Sequence, residues 1–154
     1  LELQTSPMDG LDIMLSGAWF DATVKDVPLR RGSPLPPRDV KPTYAPELQA
    51  AGLIRYQWPA LGGNLAVQAD FSYSDEFFYN LRNFDADKFD SYTIYNSSVS
   101  WSSTDSQWQL TLAVRNLTDE RAGTQGFDLA SLCGCNEIAF REPRLYSVAL
   151  RYEF

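Results

Sequence analysis

Apolar and polar residues alternate strictly along six stretches of the chain. From Leu11 to about Val24, Leu11, Ile13, Leu15 and Trp19 share one side, and Asp12, Ser16 and Ala18 the other. From Glu47 to Trp58, Leu48, Ala50, Gly52, Ile54, Tyr56 and Trp58 oppose Glu47, Gln49, Arg55 and Gln57. From Asn64 to about Tyr79, Leu65, Val67, Ala69, Phe71 and Tyr73 oppose Asn64, Gln68, Asp70 and Ser72. The pattern is weaker from Ser91 to Trp101, and returns over Ser106–Asn116 (Trp108, Leu110, Leu112, Val114 against Gln107, Gln109, Thr111, Arg115) and Arg144–Phe154 (Tyr146, Val148, Leu150, Tyr152, Phe154 against Ser147, Ala149, Arg151, Glu153). Period 2 is the strand signal. A strand that crosses a membrane needs about 9–11 residues, whereas soluble strands cluster near about five or six. These stretches have the membrane length.

The joints alternate as well. Short turn-rich joints at Ser6–Gly10, Pro59–Gly63 and Ser102–Asp105 separate long polar stretches at about 25–42, 80–90 and 117–143. An up-and-down barrel gives this pattern, with tight turns at its periplasmic end and extended loops outside. Leu1–Thr5 then reads as a strand stub. Aromatics gather at both strand ends: Trp58, Trp101, Trp108, Tyr152 and Phe154 at the turn end, and Trp19, Phe20, Phe77, Phe78, Tyr79 and Tyr146 at the loop end. Amphipathic rings favour the two membrane–water boundaries. The fold class is therefore all-β: an antiparallel up-and-down transmembrane β-barrel segment of about six full strands plus the stub. It is incomplete on its own, because about eight strands is the smallest closed barrel and an open edge in lipid leaves backbone groups unpaired. Residues 1–154 form part of one β-barrel domain.

Composition narrows the function. Net charge is −7, which argues against a nucleic-acid partner, since phosphates need a basic stripe. The mean hydropathy is negative; in a barrel only every second strand residue need meet lipid. No apolar run is long enough for a transmembrane helix. The chain has no His, so no Ser/His/Asp set can form, and no phosphate-cradling glycine loop is visible. No enzyme and no cofactor are expected.

The last forty residues carry a resemblance. Val114-Arg115-Asn116-Leu117-Thr118-Asp119-Glu120 resembles the segment that closes the penultimate strand of TonB-dependent outer-membrane receptors. Glu142-Pro143-Arg144-Leu145-Tyr146 is similar to their entry into the last strand, and Leu150-Arg151-Tyr152-Glu153-Phe154 to the terminal aromatic signature of outer-membrane barrels. Upstream, Tyr44-Ala45-Pro46-Glu47-Leu48 and Asp70-Phe71-Ser72-Tyr73-Ser74-Asp75-Glu76 resemble the family's strand entry and exit. The family-motif positions are Asn116, Leu117, Pro143, Arg144 and Tyr146.

The resemblance implies the C-terminal part of a receptor barrel in a Gram-negative outer membrane, with the plug domain and earlier strands outside this chain. Such a receptor takes up a scarce substrate of the ferric siderophore, cobalamin or oligosaccharide class, driven by the TonB complex acting on the plug. The partners implied are outer-membrane lipid, the rest of the barrel and its plug, TonB through the plug, and the barrel assembly machinery reading Tyr152 and Phe154. Arg55, Gln57, Gln68, Asp70 and Arg115 face the lumen or plug on this reading. The alternatives are another outer-membrane barrel (a porin or autotransporter translocator) or a soluble β-sandwich binding module.

Two clusters remain. Cys133-Gly134-Cys135 lies in the longest loop; two thiols without His fall short of a tetrahedral metal set, and cysteines of an exported protein tend to oxidise. A loop disulfide is the leading expectation, with free or otherwise paired thiols the alternative. Asp85, Asp87 and Asp90 lack the ligand order of a calcium loop and read as a solvated external loop.

Overall fold

The computed structural model describes residues 1–28 and 36–154. Thirteen strands run along the described residues. Seven of them form the wall: β1 (Glu2–Met8), β2 (Leu11–Trp19), β5 (Leu48–Ala60), β6 (Gly63–Ser74), β9 (Tyr92–Ser103), β10 (Trp108–Arg115) and β13 (Leu145–Tyr152). They make one antiparallel sheet in the order β1-β2-β5-β6-β9-β10-β13, each strand beside its neighbour in the wall. Up-and-down connection is what short turns and period-2 strands dictate. β1 and β13 are the open edges.

Register turns the alternation into two faces. One transverse row reads Ile13, Ile54, Ala69, Ser97, Val114, Tyr146 across six strands. The row one residue away reads Asp12, Arg55, Gln68, Ser98, Ala113, Ser147. A slip of one residue in any pair would exchange the faces. The apolar face is uncovered: Ile54, Leu112, Val148 and Leu150 are 49%, 46%, 73% and 67% exposed. A sandwich needs a second sheet on that face, and none of the described residues covers it.

Local chemistry fixes the hairpins. At the β5–β6 turn Leu61 and Gly62 have φ 54° and 68°, the paired left-handed geometry of the tightest hairpin loop. Gly10, φ 78°, closes the β1–β2 turn where a Cβ would lie 2.1 Å from the Gln57 carbonyl oxygen. In the β9–β10 turn the Ser103 hydroxyl and the Gln107 amide donate to Asp105. The Ser103 hydroxyl holds the Asp105 carboxyl below the ordinary carboxylate range, with help from that amide.

The long loops are not plain polar stretches. Their described residues carry three small two-stranded sheets: β3 (Val24–Val27) with β4 (Arg38–Val40), β7 (Phe77–Phe78) with β8 (Lys88–Phe89), and β11 (Gly123–Leu129) with β12 (Cys135–Phe140). The strands expected to run to Val24 and Tyr79 end at Trp19 and Ser74. Phe77 and Tyr79, expected at the membrane boundary, are instead buried at 8% and 7% exposure with Phe89 and Tyr92. This small aromatic cluster is the hydrophobic core of the described residues, and it lies in the loops. On the sheet, Ala66 and Ile94 are buried within the polar face, and the apolar face points outward.

Candidate functional site

The polar face near the loop end gathers the chemistry. Asp70 and Asn96 stand opposite each other on β6 and β9, and Asn96 Nδ2 donates to Asp70 Oδ2 at 2.6 Å. The Asn96 side-chain oxygen in turn accepts from the Asn116 amide at 3.0 Å. Asn116 is 4% exposed, with φ 51°, a left-handed conformation that Asn tolerates better than other side chains. Its Oδ1 accepts from the Glu120 amide, and its Nδ2 donates to the Glu120 and Glu142 carbonyls. Next to it, the Leu117 amide donates to the Tyr95 carbonyl. The Arg144 amide donates to Asp119, and the Arg144 guanidinium to the Leu117 carbonyl.

The motif positions therefore form a clamp. Asn116 ends β10, folds the next four residues back on itself and grips the chain at Glu142 as it enters β13. Arg144 fastens the entry from the other side. These residues spend their polar groups on backbone, so their chemistry is architectural. Tyr146 stands on the apolar face with Arg144 over its ring at 6.0 Å.

Beside the clamp an open cavity of about 460 Å³ is lined by Ser72, Asn96, Arg115, Asn116, Arg141 and Glu142 among others. A second, of about 520 Å³, adjoins it through Ser72 and Arg141 and includes Gln49, Ser74 and Tyr92. Arg141 lies over the Tyr92 ring at 5.4 Å. Sequence reasoning placed Arg115 on this face and passed over Arg141, whose loop position carried no periodicity signal. The structure brings Arg115 to the loop-end cavities and ties Asp70 to them through Asn96, whereas Arg55 and Gln57 lie nearer the turn end. Gln68 stands level with Arg55, its partner on β5, and opposite Ser98 on β9.

Elsewhere the named residues lie apart from these cavities. Cys133 and Cys135 are joined as a disulfide at the tip of the β11–β12 hairpin, their Cα atoms 5.3 Å apart. Trp108 and Tyr152 lie 4.5 Å apart at the turn end, and Tyr152 and Phe154 5.0 Å. Among the described residues no group of three or more metal-ligating side chains converges.

Comparison with known proteins agrees with this architecture. The family model described as TonB dependent receptor-like, beta-barrel matches residues 1–117. Among solved structures, the sheet is similar to BauA, the ferric preacinetobactin receptor of Acinetobacter baumannii, with a TM-score of 0.72 at 17% identity. It is also similar to FyuA, the ferric yersiniabactin uptake receptor of Yersinia pestis, with a TM-score of 0.76 at 17% identity. Each likeness covers 99% of this chain, which spans 21% and 22% of the two receptors' lengths. No curated protein matches the chain. With its wall of antiparallel strands, its single apolar face and a family match over most of its length, the chain belongs to the TonB-dependent receptor-like β-barrel family.

Proposed function

We propose that this chain is the C-terminal part of the barrel of an outer-membrane receptor, supplying seven wall strands, three periplasmic turns and three external loops. The single observation that carries the reading is the apolar face, which runs in register across the wall and is left uncovered, as lipid contact demands. The open edges at β1 and β13 call for further strands of the same barrel. On this orientation the polar face lines a lumen, and Arg55, Gln57, Gln68, Asp70 and Arg115 face the lumen or plug. TonB acts through the plug rather than through this chain.

The likeness to two ferric siderophore receptors favours a ferric chelate over cobalamin or an oligosaccharide. Among the described residues, Arg115 and Arg141 form none of the ion pairs observed, so the loop-end cavities offer positive charge to an anionic chelate. The test uses the full-length protein as the sole iron receptor of an iron-limited Gram-negative strain. Radio-iron uptake from a panel of ferric chelates should require both this protein and TonB. Uptake that persists without TonB, or protein that partitions into the soluble fraction, overturns the reading.

A further inference from the structure

The described parts of the three long loops, 20–28 with 36–47, 75–91 and 116–144, are bonded to one another more fully than three independent loops need be. The second is the hub. Its Arg82 guanidinium lies between Asp87 of the same loop, 3.8 Å away, and Asp128 of the third, with which it is in direct contact. Asp87 is 1% exposed, the most buried side chain described. Asn80 donates to the same Asp128 carboxylate at 3.2 Å, and Asn136 of the third loop donates to the Ala86 carbonyl at 3.0 Å.

The first loop is tied to the same hub. Arg38 donates to the Arg82 carbonyl, and both guanidiniums lie over the Phe84 ring, at 5.3 and 5.2 Å. The Lys41 amide donates to Asn83 Oδ1 at 2.6 Å, while Asn83 Nδ2 donates back to the Lys41 carbonyl. The Tyr44 amide donates to the Phe78 carbonyl, and the Tyr44 hydroxyl accepts from Gly126 of the third loop. Shape adds to the bonding. Two glycines of β11 lie flat on second-loop rings: a Cβ at Gly123 would fall 2.5 Å from Phe89, and one at Gly126 2.5 Å from Tyr79.

The cluster also reaches the polar face. Tyr92, opposite Ser74 in register, packs on the aromatic core and lies under Arg141, the residue that follows β12. The third loop thus lines the cavities on that face, through Arg141 in both and Glu142 in one.

We propose that the described parts of the three loops form one preassembled lid at the loop end of the wall, which opens as a single unit, with Arg82 between Asp87 and Asp128 as its lock. As an external lid it rests on the orientation proposed above; as a single unit it does not. Removing the guanidinium leaves a buried carboxylate without a partner, which is the costly way to break such a pair. Because local opening follows cooperative units, the loss spreads to every segment the lid contains.

The experiment is amide hydrogen exchange on the full-length protein in lipid, comparing native protein with Arg82→Gln. Segments 36–47, 77–91 and 122–141 should all exchange about a hundredfold faster, while amides in β5 and β6 keep their rates. Acceleration confined to 77–91, or no acceleration at all, overturns the proposal. Gly126→Ala undocks the third loop from the Tyr79 ring without touching charge and should accelerate the same three segments. In the native protein, a single opening rate shared by all three segments supports the proposal independently of any variant, and unequal rates overturn it. An iron-uptake failure would sink the receptor reading while leaving this result intact.

Discussion

At the scale of single residues, the family-motif asparagine is explained by backbone geometry. Asn116 occupies a left-handed position and satisfies three backbone groups with one side chain while its own amide binds Asn96. Alanine there keeps the strained φ and orphans buried partners, so Asn116→Ala should cost about 2–4 kcal/mol in denaturant unfolding of the full-length barrel. Aspartate retains the acceptor for the Glu120 amide and loses both donations, so Asn116→Asp should fall between alanine and native. A cost for alanine below about 0.5 kcal/mol would refute the clamp. The spacing of Asn116 from Pro143-Arg144 was legible in the sequence. Its purpose was not, since the partners are backbone groups of Glu120 and Glu142 that no side-chain pattern announces.

At the scale of elements, the strands were legible because one uncovered apolar face, held in register, imposes a period of two along the wall. The loop core was not. Phe77, Tyr79 and Phe89 are separated by polar residues without any period, and Gly123 and Gly126 look like ordinary loop glycines until the rings above them are placed. For the same reason Asp87, read as solvated, is the most buried side chain described. The two-faced wall makes a sharp contrast available on β10, where Leu112 points from the apolar face and Thr111 from the polar one. Arginine at the lipid-facing site should cost about 2–4 kcal/mol near the bilayer midplane, and at the lumenal site less than about 1 kcal/mol. Urea unfolding of Leu112→Arg and Thr111→Arg in lipid vesicles measures the difference. Equal costs would mean that the apolar face does not meet lipid.

At the scale of the whole molecule, the open sheet sets the terms. Every residue of β13 is exposed because the strand has one neighbour only, and in a hydrocarbon phase each unpaired backbone group costs several kcal/mol. In the barrel proposed above the wall closes through further strands, so β13 needs a second neighbour. The aromatic series Trp108, Tyr152, Phe154 runs down the turn end of that edge, with Tyr152 within 4.5 Å of Trp108 and 5.0 Å of Phe154. We propose two roles for Phe154 at this edge: a ring anchored at the membrane boundary, and a handle for the insertion machinery. Both require the residue at the turn end of β13. Deleting Phe154 from the full-length receptor should therefore lower the fraction inserted, read as heat-modifiable gel mobility, by several-fold. Phe127→Ala, which removes a half-exposed ring of the β11–β12 hairpin, should leave insertion near native. Restoring any aromatic residue at position 154 should recover insertion if the edge is read by its ring. Equal insertion of the deletion and the Phe127→Ala variant would remove the assembly role and leave Phe154 as one more anchor in the aromatic girdle.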